Sequence, residues 1–418
     1  MAGKVITVFE HARLEVSENG PFTQRHFDAL VRYNQQHDNR FFTPEYRRIK
    51  FNQHVGVIAV GGITIEVLPK ADGVEDEAKW QKALIQMLKV AHGLPLHDAG
   101  HAKLALRRTS VLEYFLRLFV EEVQRLVHQG LVKRYREQAG ATTALKGRLD
   151  LPRHIRHSIV HKERFQVIHQ VYDTDHLLHA ILKKTLSLLE DVTNDPITMG
   201  LAQDMQWAFD HVRDQRINAA SFDRISMDRK TKGYVDAMLL AKLILLNYAP
   251  DVKGGRENIL SLLFDMNKLF ELVVLRLLKR AGGERTGLAV IGQNSREFWN
   301  GQKIRPDILI EQGGCLQCII DTKWKLPKDD KPADPDLKQM YVYNRQFGSV
   351  ESVLLYPGNK VGTRRIDFDA DHKRSQDHGC SVRFIELFDK EGELQLEKVR
   401  TLLRELIPIE PEQVAETV

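Results

Sequence analysis

Two short apolar runs, each with an acid at one end, constrain this chain more than any other feature. Residues 305–310 read Arg-Pro-Asp-Ile-Leu-Ile, residues 318–325 read Cys-Ile-Ile-Asp-Thr-Lys-Trp-Lys, and Gly313-Gly314 lies between them. Apolar runs bracketing a Gly-Gly pair predict two strands joined by a tight hairpin. Asp307 then opens one strand and Asp321 closes its neighbour. Side chains alternate along a strand, so Asp321 and Lys323 share a face and Thr322 points the other way.

Two carboxylates and a lysine gathered at a strand end suit phosphodiester hydrolysis. That reaction needs a cation to offset charge on the transition state and to acidify the attacking water. Asp307 and Asp321 supply hard oxygen ligands for Mg²⁺, which is usually held by one or two carboxylates plus phosphate oxygens and water. Lys323 can orient or deprotonate that water; a nearby cation would lower its pKa, while the two acids push it up. Asp-x-Lys alone also fits a solvated ion pair at a strand end. The upstream Pro306-Asp307 and the intervening hairpin set this one apart.

The surrounding pattern is α/β: a helix over 261–280, strands near 288–291, 307–311, 316–321 and 352–356, and a helix over 336–346. Earlier in the chain, residues 55–60 and 63–68 flank Gly61-Gly62 and predict a second hairpin, followed by an amphipathic helix over 78–91. Residues 111–132 continue as a long helix. Residues 135–150, mixing Gly, Thr and basic side chains, read as irregular or hairpin structure. Further helices are expected over 175–190, 202–211 and 233–247, and Pro250 with residues 251–256 marks a boundary. The expected architecture is multidomain: a β-rich N-terminal domain (1–105), a mainly helical middle domain (106–256) and a C-terminal α/β domain (257–418).

A chain of 418 residues with 43% hydrophobic content can bury such cores without staples. Its 61 Lys and Arg against 56 Asp and Glu leave a formal charge of +5, which would not repel a phosphate backbone. The three cysteines form no even framework, the first residues lack the apolar core of a signal peptide, and no run approaches the ~18 apolar residues of a membrane span. A cytoplasmic, reduced protein with no membrane partner is expected.

The motif residues resemble the PD-(D/E)xK nucleases, whose signature is Pro-Asp, then an Asp-x-Lys after an apolar strand. Glu271, within the Asn-Lys-Leu-Phe-Glu stretch at 267–271, matches the acidic residue that many members carry on the first core helix. Gln339 and Tyr343 match the Gln-x-x-x-Tyr motif of the helix after the Asp-x-Lys strand, and at i, i+4 they share a helix face. A narrower resemblance is to the McrC family, the nuclease subunits of modified-cytosine restriction systems. It rests on residues 267–271, 305–325, 56–70 (GVIAVGGITIEVLPK) and 145–150 (LKGRLD), in the family's order.

The resemblance implies a restriction-endonuclease-like C-terminal domain. It implies Asp307, Asp321 and Glu271 about the Mg²⁺, Lys323 serving the water, and Gln339 and Tyr343 supporting the site. It also implies cleavage of modified double-stranded DNA together with a McrB-like AAA+ GTPase, docked through the N-terminal region. Two alternatives stand beside it: a non-catalytic adaptor that stimulates the motor, and the nuclease of another defence or repair complex. The intact Asp307, Asp321 and Lys323 argue against the adaptor.

Other candidates read more plainly. His154, His157 and His161, with His176 and His179 beyond, lack a completing carboxylate or Cys pattern and sit among Arg153, Arg156, Lys162 and Arg164, so a solvated or DNA-facing basic surface is expected rather than zinc. Cys315 and Cys318 are three apart on a strand, which puts them on opposite faces. Lys146, Gly147 and Arg148 form a basic turn that would suit phosphate contact equally well. No G-x-x-x-x-G-K-[ST] loop occurs in the chain, so any nucleotide-driven step must come from a partner.

Overall fold

The computed structural model describes residues 4–70, 76–94, 110–157, 163–249, 259–327, 331–368 and 378–408. The boundary expected at 250–256, His161, Lys162 and the tail beyond residue 408 lie outside the described residues. The chain divides into two compact units, residues 112–262 in one and residues 4–111 together with 263–418 in the other. The two ends of the sequence therefore build one body.

In that body the Gly61-Gly62 hairpin forms as expected. His54–Val60 pairs antiparallel with Ile63–Leu68, which pairs in parallel with Lys4–Phe9. Gly61 and Gly62 take φ of 55° and 84°, the left-handed pair that a two-residue hairpin turn requires. The helix Glu77–His92 is capped by Asp76, which accepts from Lys79 N at 3.0 Å, and it closes on Gly93 in the left-handed conformation.

The C-terminal half of this body carries a six-stranded sheet. Its order is Leu288–Gly292, Ile308–Gln312, Cys315–Thr322, Glu351–Pro357, Gly379–Ile385 and Ile366–Asp367. The first three strands run antiparallel, while Cys315–Thr322, Glu351–Pro357 and Gly379–Ile385 run parallel. The parallel step from 322 to 351 is bridged by the helix Asp334–Phe347, as a parallel crossover demands. One face of the sheet presents Leu309, Ile319, Leu354, Tyr356, Cys380 and Val382 to Met340, Tyr343 and Phe347 of that helix. The helices Met266–Gly282 and Leu396–Leu406 pack elsewhere on the sheet, so its central strands are apolar on both faces.

One expectation fails. Residues 261–265 are not helical: they belong to the strand Ile259–Asp265, and the helix begins at Met266. Residues 259–263 are buried without interruption, which suits a central strand, and Asp265 stops it by accepting from Asn267 N and Lys268 N as the helix cap.

The other unit is mainly helical, with Leu177–Val192 and Val235–Leu246 buried along their lengths. The helix expected over 202–211 lies earlier, at Pro196–Gln206, because Asp195 caps it and Pro196 fits its first turn. The segment 135–150 supplies more order than its composition indicates: Arg134–Thr142 pairs in full with Phe165–Asp173, whose other edge takes Arg148–Leu149. Both long strands are only partly buried, so neither shows an apolar alternation that sequence reading detects. No helix among the described residues is long and apolar enough to cross a membrane.

Candidate active site

Ile308 pairs with Ile320, so Asp307 and Asp321 meet at the same level, one step past the last pair of that ladder, while Asp321 still pairs with Leu354 on its other side. Asp321 is 2% exposed, and its Oδ2 lies 2.7 Å from Lys323 Nζ. That contact is a short, buried ion pair. Asp307 Oδ2 accepts from both Thr322 N and Thr322 Oγ1, each at 2.8 Å. Alternation alone turns Thr322 away from the site. Beyond the last ladder pair the Asp307 carboxylate takes the place of a strand partner, and Thr322 clamps it instead.

Lys323 is held from three sides. Besides Asp321 it lies 3.5 Å from Asp336 Oδ1, and it donates to Gln339 Oε1 at 3.0 Å. Gln339 Nε2 donates to Tyr343 Oη at 2.8 Å, and that hydroxyl donates to the Arg305 carbonyl at 3.1 Å. The i, i+4 pair expected on this helix thus joins the lysine to the backbone just ahead of Pro306-Asp307. Asp336 was not legible as part of the site, though it lies three residues before Gln339 on the same helix face. It also pairs with Lys325 at 2.6 Å.

Glu271 stands apart. Its Oε1 accepts from Gln293 Nε2 at 3.0 Å, and Gln293 N in turn donates to the Asp307 carbonyl, also at 3.0 Å. Gln293, in the left-handed region at φ 56°, therefore bridges Glu271 to the Asp307 strand. Among the described residues, no three His, Cys, Asp or Glu side chains gather closely enough to hold a metal.

The charges explain what the pair can do. Burial, then the neighbouring Asp307, pushes the Asp321 carboxyl above its usual range, and Lys323 only partly offsets this. Burial pulls Lys323 down, but Asp321, Asp336 and Asp307 outweigh it and hold the ammonium above its ordinary value. Burial and Asp307 likewise raise Glu271. A buried carboxylate balanced only in part by Lys323, beside a second acid clamped on one oxygen, fits a hard divalent cation held by two carboxylates.

Comparison with protein families matches residues 49–357 to the McrBC 5-methylcytosine restriction system component model. The chain belongs to that family. Among solved structures, one of the Thermococcus gammatolerans McrB AAA+ hexamers with bound McrC contains a chain of the same fold. It is 22% identical, with a TM-score of 0.72, and the match covers 97% of this chain and 100% of that one. A second, of the Thermococcus gammatolerans McrBC complex, is 24% identical with a TM-score of 0.53, covering 66% of this chain and 88% of that one. A search of curated proteins finds no match.

In this McrBC family member the site is also braced from the N-terminal strands. Trp324, next to Lys323, donates its indole N–H to Glu10 Oε1 at 2.7 Å, and the same oxygen accepts from Lys70 N at 2.8 Å. The indole also meets Phe270, the neighbour of Glu271, at 5.2 Å between centroids, and Trp80 at 6.3 Å. Glu10 and Trp324 lie 314 residues apart. No local pattern announces such a contact.

Of the remaining candidates, His179 departs from the solvated surface expected for the histidine segment, because it is fully buried. Cys315 is exposed and Cys318 buried, as strand alternation requires. Gly147 takes φ +67°, and a Cβ there would meet the Ile168 carbonyl at 2.4 Å, so the basic turn is shaped by close packing on the Phe165–Asp173 strand. His154 stacks on Phe165 and accepts from Gln166 N, while His176 and His179 belong to a buried network taken up below.

Proposed function

We propose that this chain is the McrC-like subunit of a type IV restriction system: a cytoplasmic, Mg²⁺-dependent endodeoxyribonuclease of the PD-(D/E)xK type. It cuts modified double-stranded DNA with a separate AAA+ GTPase. The observation that carries this reading is Asp321, a buried carboxylate set beside Asp307 and ion-paired with a lysine that Gln339 holds in place. The family match and the absence of a nucleotide-binding loop support the division of labour between motor and nuclease. The N-terminal segment is the proposed docking region.

Asp307 and Asp321 would hold the metal, with Glu271 at the edge of the site. Bound Mg²⁺ supplies charge compensation for the phosphate and acidifies the attacking water. Lys323, kept protonated by three acids, acts as a fixed cation that orients the water and the scissile phosphate rather than as a base. Gln339 and Tyr343 hold that ammonium in register with the Asp307 strand.

The test is cleavage of methylated plasmid by the full chain with its AAA+ partner, GTP and Mg²⁺. Asp321→Asn should lower the rate by at least ~10³-fold. Cleavage that survives the substitution removes the proposed site. Absent cleavage in wild type, with motor GTPase stimulation intact, replaces the reading with an adaptor.

A further inference from the structure

Immediately before the Pro306-Asp307 corner, the chain makes an excursion that the catalytic reading does not use. Arg296–Trp299 and Gln302–Ile304 form a two-stranded antiparallel sheet of their own, separate from the six-stranded sheet. Asn300 and Gly301 turn it with φ of 41° and 80°, both left-handed, as in the two-residue turns that favour Asn-Gly. Phe298 is 49% exposed and Trp299 65% exposed. A two-stranded hairpin is marginal by itself, and leaving its two largest apolar side chains in water does nothing to stabilise it.

Its base, by contrast, is fixed. Arg296 donates to the Gln346 carbonyl at 3.0 Å and lies 4.5 Å over the Phe347 ring. Tyr343 holds the Arg305 carbonyl on the other side. Both anchors are on the helix that carries Gln339, so the hairpin is attached to the same element that holds the lysine of the site. From Arg305 to its tip it reaches about 15 Å at ~3.3 Å per residue, comparable to the half-width of a duplex and its groove. Along it stand Arg296, Lys303 and Arg305 against a single acid, Glu297.

We propose that the Arg296–Ile304 hairpin is a DNA-gripping arm that engages the duplex beside the scissile phosphate. Lys303 and Arg305 meet phosphates, and Phe298 and Trp299 enter the adjoining groove. This rests on the nuclease reading for the position of the phosphate. The chemistry is that of a two-stranded ribbon whose width the major groove admits, with cations neutralising backbone charge and apolar side chains wedged against base edges in the groove.

The test is fluorescence anisotropy of the full chain with a labelled duplex of about 30 base pairs, with Ca²⁺ in place of Mg²⁺ so that the duplex stays whole. A Phe298→Ser, Trp299→Ser double variant should bind ~10-fold or more weakly. Lys303→Ala should weaken binding about 3-fold and reduce the salt slope by about 1. Thermal midpoints should stay at the wild-type value, since the hairpin lies outside the main sheet. Wild-type affinity in both variants, or no binding by wild type, overturns the proposal. A double variant whose self-association changes while its DNA affinity does not assigns the aromatic pair to a second copy of this chain, and also overturns it. Asp321→Asn, tested separately for plasmid cleavage with the AAA+ partner, GTP and Mg²⁺, should lose cleavage; if it still cuts, the nuclease reading fails whatever the hairpin does.

Discussion

Two buried polar clusters in this molecule invite the same guess from sequence, and their interiors differ. In the helical unit, His179 is fully buried yet satisfied on both ring nitrogens. Nδ1 donates to the Thr174 carbonyl at 2.7 Å, and Nε2 accepts from Tyr234 Oη at 3.2 Å, whose oxygen in turn accepts from Val132 N. Its neighbour His176 bonds the Val132 carbonyl with Nε2 and leaves Nδ1 buried without a hydrogen bond. At the sheet end, Asp321 has a cation 2.7 Å away and a second acid, Asp307, as its neighbour. His179, bonded on both ring nitrogens, holds this part of the fold together as a neutral ring. Asp321 rests instead on one ion pair, to Lys323, with a second acid beside it, which is the arrangement the proposed metal site uses.

The largest effect that would sharpen this contrast concerns the bonds that position the lysine. Gln339→Ala removes the acceptor of Lys323 Nζ and the donor to Tyr343, while Asp321 and Asp336 still keep the ammonium charged. We expect kcat to fall ~10–100-fold, the range seen when an outer partner of a reacting group is removed, with KM for DNA little changed. A drop confined to KM would mean that Gln339 touches DNA and does not orient the lysine.

The histidine cluster makes a smaller prediction of the opposite kind, in stability. Burial, with His176 adding a like-charge push, lowers the His179 pKa from 6.5 to about 3. Between those values the unfolded chain takes up a proton that the folded chain refuses, so stability is intact above the unfolded pKa and falls as pH drops through it. For one such group the slope approaches about 1.4 kcal/mol per pH unit. Urea midpoints from pH about 7.5 to 5 should therefore fall more steeply for wild type than for His179→Gln, and parallel curves would show that His179 is not held neutral.

These contrasts also mark what the sequence could and could not yield. The hairpin at Gly313-Gly314 and the level meeting of Asp307 with Asp321 follow from alternation and turn chemistry, which are local. The Gln339–Tyr343 pair follows from helical spacing. Glu10 on Trp324 does not, because two chain ends far apart in sequence must first share a body. Nor does the start of the helix at Met266: an unbroken apolar run serves strand or helix equally until Asp265 is seen capping. The Arg296–Ile304 hairpin had a signal in Asn300-Gly301, but its strands lack the apolar alternation that draws attention to a hairpin.

The smallest expected effect tests the charge balance at Asp321 most directly. Asp321→Asn keeps the shape of the side chain and removes a carboxylate that burial and Asp307 both disfavour. It also removes one partner of Lys323, but Asp336 and Gln339 remain, so the lysine is not orphaned and relief at Asp321 should win. In metal-free buffer with EDTA the variant should be more stable by about 1 kcal/mol, read as a higher thermal midpoint. Adding Mg²⁺ should then raise the wild-type midpoint and leave the variant unmoved, because only a species that binds the folded state shifts it. A variant less stable than wild type in EDTA would show that Asp321 is a satisfied structural acid, and the difference between the two clusters would disappear.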